Sequence, residues 1–277
     1  MNKNRVLSYF IWVNAAVGVA VLAYCASRVT VAQLDWKYLI LCLLTIFLSS
    51  RISIVIPNTI GHITISDTFI FLIMLLYGRE GAVFLAAAEG GYSSMPYRLS
   101  PRTVAFNSAI MGSSTFLSGT VLEWVFGPLT RLPESNPQTF VAAICTMALV
   151  QYLANSALAT VFTALKRNHS VIQAWTKYYL WSSITHLAGA SAAGIISRLV
   201  VNFGFYYVLL TTPIIVIIYL TYRTYQQNIE TSAGQAQKAA NHLYEIARRT
   251  WHARFPGIQE LAAAELSALI AGAGNGI

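Results

Sequence analysis

The stretch that decides the fold is Gly61 to Ser94, which reads GHITISDTFIFLIMLLYGREGAVFLAAAEGGYSS. It contains two apolar runs, 66–77 and 81–94, which are separated by Gly78-Arg79-Glu80. Each run is shorter than the roughly 20 apolar residues that a helix needs to cross a membrane. Short hydrophobic segments that are interrupted by glycine and end in polar groups are typical of binding sites within membrane proteins. The stretch therefore predicts two half-length helices, with Arg79 and Glu80 in an exposed turn between them.

The composition of the whole chain is that of a membrane protein. Of its 277 residues, 56% are hydrophobic and only 10% are charged, whereas soluble domains are about 25% charged. The mean hydropathy is +0.57. We attribute the net charge of +8 to membrane topology and lipid headgroups rather than to nucleic acid. We therefore expect an all-α fold, a polytopic helical membrane bundle that contacts lipids and binds no nucleic acid.

Apolar runs along the chain predict about eight transmembrane segments, two of them short. The predicted segments are 7–27, 36–50 (with a possible extension to 56), 66–77, 81–94, 103–126, 138–165, 180–200 and 205–222. If the N-terminus lies in the cytoplasm, nine lysines and arginines fall in inner loops and five in outer ones. The positive-inside rule therefore predicts that both termini are cytoplasmic.

The chain is predicted to have three parts: a transmembrane bundle at 1–222, a cytoplasmic helix at 223–255 and an Ala/Gly-rich tail at 256–277. Apolar or small residues recur in the second part at alternating spacings of three and four, as in a coiled-coil seam. They are Tyr222, Tyr225, Ile229, Ser232, Ala236, Ala239, Leu243, Ile246 and Thr250. The seam predicts a homodimer through this helix. Because several of its residues are small, a solvated helix or one lying on the membrane is the alternative.

Acidic residues within the apolar runs are the first candidates for a functional site. Asp67 could bind a cationic ligand, relay a proton or pair with Arg51, and either Ser66 or Asp67 could cap the helix. Glu89 lies inside the second run, where an acid is costly and indicates either function or a structural ion pair. His62 and Arg51 flank the same entrance as Asp67.

Polar residues of the later segments form a second group of candidates. They are Asn107, Glu123, Gln151, Asn155 and His186. Polar side chains in transmembrane helices usually face the interior of the bundle, and we expect the uncharged ones to form hydrogen bonds between helices.

Catalytic and metal-binding signatures of soluble proteins are absent from the sequence. It contains no HExxH, GxSxG, P-loop, GxGxxG or CxxC pattern. Cys25, Cys42 and Cys145 lie in apolar runs and have neither disulfide nor zinc spacing. We therefore expect a protein that is not an enzyme and that needs no metal or other cofactor.

The run ITISDTFIFLIMLLYGREGAVFLAAAEGGYSS resembles the membrane-associated sensory (MASE-type) regions of bacterial signalling proteins. The resemblance lies in a Ser-Asp-x-Phe-x-Phe phrase, followed by Leu-Tyr-Gly-x-Glu-Gly-Ala and a helix of small residues. A basic turn and an Asn-containing span follow in that family, and Arg98, Arg102 and Asn107 match them here.

This resemblance implies a sensor in the bacterial inner membrane, placed ahead of an HD-GYP phosphodiesterase or GGDEF cyclase domain for cyclic di-GMP. No such domain follows the helix at 223–255 before Ile277. A stand-alone sensor, a truncated gene or a separate cytoplasmic output protein are the three interpretations. The same run is also similar, more weakly, to the substrate-binding S components of energy-coupling-factor vitamin transporters. A solute-binding transporter component is therefore the alternative function.

Overall fold

The computed structural model of the chain describes residues 3–29, 34–49, 53–55, 62–64, 66–95, 99–180 and 182–254. Most of these residues are helical, as the composition predicted. The helices are α1 (Lys3–Arg28), α2 (Trp36–Ser49), α3 (Ser66–Tyr92), α4 (Pro101–Phe126), α5 (Pro137–Arg167), α6 (Val171–Ala174), α7 (Ser182–Phe203) and α8 (Tyr206–Arg254). A 3₁₀ turn (Leu129–Glu134) precedes α5, and a π-helical turn (Trp175–Tyr179) follows α6.

In the part of the chain that the structure describes, four stretches of helix are long and apolar enough to cross a membrane. They are Arg5–Arg28, Ser66–Tyr92, Pro137–Arg167 and Ser182–Phe203. Helix α2 contains a shorter apolar stretch, Trp36–Ile46. These lengths and compositions are those of a membrane protein.

A short β-ribbon follows α2 and corrects one expectation. Strand β1 (Ser53–Val55) pairs antiparallel with β2 (His62–Thr64), and Ile54 lies opposite Ile63. Helix α2 ends at Ser49, so the possible extension of the second segment to residue 56 is wrong. Four of the six strand residues are β-branched, which favours a strand over a helix.

Helix α3 is broken at Gly78, where the interruption was predicted. Gly78 has φ +87° and ψ 179°, a backbone conformation that is open essentially to glycine alone. A β-carbon placed on Gly81 would lie 3.5 Å from Cγ2 of Ile73. In a straight helix, residues eight apart are separated by about 12 Å along the axis. The two halves of α3 therefore fold back on each other as a helical hairpin.

The hairpin has a turn end, at Gly78, and an open end, where the first and last residues of α3 lie. The two ends contact different parts of the neighbouring helices. At the open end, a β-carbon on Gly189 of α7 would lie 3.3 Å from Cβ of Asp67, and one on Gly90 would lie 2.7 Å from the carbonyl oxygen of Asn107 in α4. At the turn end, Arg79 reaches Glu123 near the end of α4. The open end thus faces the beginnings of α4 and α7.

The first half of α3 forms the centre of the core. All residues from Ser66 to Leu75 are buried, which is the pattern of a helix surrounded on every side. Helices α1, α2, α4 and α7 and the 3₁₀ turn all contact α3. Any change in a residue of this half is therefore transmitted to several helices at once.

The starts of α4 and α5 follow from local sequence signals. Ser100 and Asn136 cap the two helices by accepting hydrogen bonds from the backbone N–H groups of Thr103 and Thr139, and a proline follows each cap. A capping side chain followed by proline at the first helical position is a favoured helix start. Helices α4 and α5 thus begin at Pro101 and Pro137, within two residues of the predicted starts at 103 and 138.

The chain divides into two compact units, one that ends at Val216 and one that begins at Ile217. Helix α8 contributes its first residues to the first unit and the remainder to the second. In the second unit the large apolar side chains of Tyr225, Leu243 and Ile246 are exposed.

Candidate functional site

The candidate site is a pair of ionisable side chains buried between α3 and α7. Asp67 lies in the first turn of α3, and His186 lies in the second turn of α7. Their residues are 9% and 4% exposed, and Nε2 of His186 lies 3.8 Å from Oδ2 of Asp67. Burying ionisable groups within a membrane helix is costly and marks candidates for function. The two are far apart in the sequence, so folding brings the pair together.

Close packing of α7 on α3 produces this approach. Gly189 lies one turn after His186, and a β-carbon there would lie 3.3 Å from both Cβ of Asp67 and the backbone nitrogen of Thr68. Because glycine has no side chain, the backbone of α7 can approach the first turn of α3. The same approach places His186 opposite the carboxylate.

An aromatic ring also lies beside His186. The ring centroid of Tyr152 in α5 lies 6.0 Å from that of His186, and the ring of Trp175 lies 6.4 Å from Tyr152. The pair therefore lies in a setting that combines one carboxylate with aromatic faces. Such a setting favours a cation or a proton over an anion, because a carboxylate and an aromatic face both attract positive charge.

The predicted candidates Asn107 and Glu89 lie at the open end too, on the side of α4. Nδ2 of Asn107 donates to Oγ of Ser94 at 2.7 Å, and Oγ of Ser94 donates to the carbonyl oxygen of Gly90 at 2.7 Å. Ser108 Oγ donates to the carbonyl oxygen of Ala87 at 2.6 Å. Glu89 is buried among these contacts. The hydrogen bonds join α4 to the second half of α3 and fix the Glu89 backbone.

Three other residues were predicted to belong to the site: Ser66, His62 and Arg51. Ser66 is the first residue of α3 and is fully buried. His62 lies in β2, a strand that contacts α7. Arg51 lies outside the described residues, and so does its proposed pairing with Asp67.

The turn end of the hairpin holds a charged network that the sequence did not predict. Arg79 donates from Nη2 to Glu80 Oε1 at 2.7 Å. Its Nη1 forms an ion pair with Oε2 of Glu123 at 2.8 Å. Nη1 also donates to Oγ1 of Thr120 at 3.1 Å, and the guanidinium lies 4.8 Å from the ring centroid of Phe116.

The side chain of Arg79 is only 12% exposed, so the expectation of an exposed turn at Arg79 and Glu80 is wrong. Gly119 allows the burial, because a β-carbon there would lie 2.7 Å from Cγ of Arg79. A threonine and an acid three residues apart on α4, one helical turn, are the signal that could have indicated the network. We refer to Arg79, Glu80, Thr120 and Glu123 as the Arg79 network.

Polar residues of α4 and α5 join these helices, as predicted for the uncharged members. Nε2 of Gln151 donates to Ser114 Oγ and Thr115 Oγ1, both at 3.2 Å. Ser118 Oγ donates to the carbonyl oxygen of Met147 at 3.3 Å. These contacts are interhelical hydrogen bonds and have no evident role in binding.

The predicted seam of the cytoplasmic helix is described in part. The side chains of Tyr225, Leu243 and Ile246 are exposed within the chain. Those of Tyr222 and Ile229 lie outside the described part of α8. In the second unit, Arg249 and Glu245 form an exposed ion pair one turn apart, which contributes little to stability.

Among the described residues, no three His, Cys, Asp or Glu side chains lie close enough together to hold a metal ion. No known protein family, curated protein or solved structure matches this chain.

Proposed function

We propose that this chain is a multi-pass sensory module of the bacterial inner membrane. It detects a small ligand or a state of the membrane and relays the change through its last span to a cytoplasmic helix. A homodimer through that helix, or a separate cytoplasmic output protein, receives the signal. No catalytic step is part of this proposal.

The observation that carries the proposal is the length and surface of α8. This helix has 49 residues, more than twice the roughly 20 that cross a membrane. Beyond the predicted span it exposes Tyr225, Leu243 and Ile246, each more than 45% accessible, at positions of the predicted seam. Large apolar side chains exposed at heptad positions favour a partner helix.

The broken helix α3 supports the finer topology of this proposal. If each half of the hairpin counts as one short crossing, α1, α2, both halves of α3, α4, α5, α7 and the start of α8 make eight. An even number leaves both termini on one side, and the distribution of lysine and arginine favours the cytoplasm. Reporter fusions after Arg254 and in the loop at 127–136 test this topology, with cytoplasmic and external locations expected, respectively.

The open end of the hairpin is the proposed site of detection. A ligand shifts an equilibrium between two conformations only if it binds them with different affinity. The Asp67–His186 pair spans two helices of the core, so a ligand that changes its geometry changes the packing of α7 on α3. This packing is the element that the stimulus would act on.

Cysteine cross-linking in native membranes tests the relay helix. Single cysteines are placed at the seam positions Leu243 and Ile246, in a background in which the three native cysteines are replaced. Gln227 and Asn241, which are exposed and lie off the seam, serve as matched controls. We expect efficient disulfide-linked dimers at the seam positions and little product at the controls. Equal yields at all four positions would contradict the sensor proposal.

The second candidate, a solute-binding transporter component, is favoured by the buried acids of the interrupted segment. Asp67 and Glu89 are both buried and lie in opposite halves of the hairpin. Membrane vesicles that contain the protein are supplied with radiolabelled vitamins, and accumulation is compared for wild type, Asp67→Asn and Glu89→Gln. Loss of accumulation in either variant supports this candidate. Accumulation that neither substitution changes removes its basis.

A further inference from the structure

The hydrogen bonding of His186 identifies which ring nitrogen carries the proton. Nδ1 of His186 lies 2.8 Å from the carbonyl oxygen of Ser182. A carbonyl oxygen only accepts hydrogen bonds, so Nδ1 must be the donor. In a neutral imidazole the other nitrogen is then an unprotonated acceptor. Nε2 therefore presents a lone pair.

That lone pair faces a second acceptor. Nε2 has no hydrogen-bond partner among the described residues, and the charged group that lies within 4 Å of it there is Oδ2 of Asp67, at 3.8 Å. An ionised carboxylate also accepts only, and 3.8 Å exceeds the usual hydrogen-bond distance of about 2.7–3.2 Å. When the imidazole is neutral and the carboxylate is ionised, the two facing atoms are both acceptors, and one added proton would allow a hydrogen bond between them.

We propose that Asp67 and His186 form a proton-binding site. The pair takes up one proton, which bonds to Nε2 of His186 or to Oδ2 of Asp67 and is shared in a single hydrogen bond between them. Charge-assisted hydrogen bonds of this kind are about 2.7–2.9 Å long. Proton uptake therefore draws the two side chains together by about 1 Å.

This contraction acts on helix packing because of where the two residues lie. Asp67 is in the first turn of α3, and Gly189, one turn beyond His186, is already in close contact with that turn. The ring of Tyr152 in α5 lies 6.0 Å from the imidazole, centroid to centroid, so α5 also contacts this part of α7. The titratable side chains that face His186 among the described residues are Asp67 and Tyr152, and the strand that contains His62 also contacts α7.

The proton binding and its biological role are separable. The idea that the proton is the stimulus of a sensor rests on the function proposed above, because a relay helix must transmit the change in packing. Proton binding itself depends only on the geometry of the pair. In a transporter, the same site would carry a coupling proton.

Nitrogen-15 NMR of the full chain in lipid vesicles, with labelled histidine, tests the site. Substitution His186→Gln assigns the signal of His186. At pH 8.5 we expect Nδ1 protonated and Nε2 bare. At pH 5.5 one of two results is expected. Either the NMR signal shows Nε2 protonated, or infrared difference spectroscopy shows a protonated carboxyl group that is absent from Asp67→Asn. If the proton resides on Nε2, that nitrogen remains bare in Asp67→Asn at the pH at which the wild type is protonated.

Exposed histidines provide the matched control. Substitution of His169 and His242, both exposed, is expected to leave the His186 signal unchanged at both pH values. This double variant also narrows the assignment if His186→Gln does not fold. Finding Nε2 protonated at pH 8.5, or finding that neither member of the pair takes up a proton by pH 5.5, overturns the proposal.

Cross-linking of α8 at the two pH values separates this proposal from the function above. A seam-specific dimer yield at Leu243 that changes with pH, together with proton uptake, supports both. Proton uptake without a seam-specific dimer supports the proton site and contradicts the sensor. A seam-specific dimer without proton uptake supports the sensor and contradicts the proton site.

Discussion

The two ends of the α3 hairpin hold buried charges in opposite ways. At the turn end, Arg79 contacts two carboxylates at 2.7 and 2.8 Å and a threonine hydroxyl at 3.1 Å. At the open end, Asp67 and His186 remain 3.8 Å apart. The guanidinium is paired with both carboxylates, although its Nε has no hydrogen-bond partner among the described residues, whereas no hydrogen bond joins the imidazole to the carboxylate.

This difference separates structure from function. A buried charge that already has its counterions stabilises one arrangement and has little to gain from a ligand. A buried imidazole nitrogen without a hydrogen-bond partner, such as Nε2 of His186, carries a free-energy cost, which a shared proton would relieve. In our proposal the turn end therefore holds the hairpin in shape, and the open end is where it responds.

The largest expected effect is that of Arg79→Met. The substitution leaves Glu80 and Glu123 close together without a cation, and we expect the free energy of unfolding to fall by about 2–3 kcal/mol. The value is below that for fully buried pairs because Glu123 is partly exposed. Thermal unfolding in detergent measures it. Adding Glu123→Gln should restore part of the stability, and a loss near zero in the single variant would show that the network is not structural.

Gly90→Ala is expected to have the next largest effect. Its β-carbon would lie 2.7 Å from the carbonyl oxygen of Asn107, and a backbone atom cannot easily move away. Overpacking of this kind costs about 1–3 kcal/mol. Gly91→Ala is the matched control, because its β-carbon would lie 3.7 Å from Oγ of Ser108. Equal stability of the two variants would mean that the open end is looser than the structure indicates.

Thr120→Val should lower stability by about 1 kcal/mol, since it removes one hydrogen bond to Arg79 and leaves both carboxylates in place. Thr120→Ser keeps the hydroxyl and is expected to retain most of the stability. Unfolding of both variants is compared under the conditions used for Arg79→Met. A loss as large as that of Arg79→Met would contradict the view that the carboxylates dominate the network.

Asp67→Asn is expected to change stability least, by less than about 1 kcal/mol in either direction. Asp67 makes no short hydrogen bond to His186, and an Asn amide could donate to the bare Nε2. The comparison between the two ends is sharpest here, because removing a charge from the open end should cost far less than removing one from the turn end. A loss of 2 kcal/mol or more would make the pair a structural ion pair instead.

Local features of the fold were predictable from the sequence, and contacts between distant segments were not. The break at Gly78 follows from the glycine between two short apolar runs, and the apolar runs at 103–126 and 138–165 predicted α4 and α5 to within two residues of their starts. His186 was recognised only as a polar residue of a later span, because no spacing relates it to Asp67. Arg79 was misread, because a charged pair after glycine is usually an exposed turn.

The β-ribbon shows the same division. Its β-branched residues are visible in the sequence, but the pairing of Ile54 with Ile63 is a contact that residue type does not specify. Apolar content therefore predicted a membrane segment where the chain instead leaves α2 and forms a strand.

The sequence alone determined that this is a helical membrane protein with a broken central helix. The chain has too few charges to cover a soluble surface, and a glycine separates its two short apolar runs. Both are properties of composition and local sequence. The tertiary structure alone decided which charges meet. Asp67 joins His186 through the close approach at Gly189, and Arg79 joins Glu123 through the close approach at Gly119. The physical reason is that desolvation and hydrogen bonding depend on what lies within a few ångströms, and distance along the chain carries no information about that.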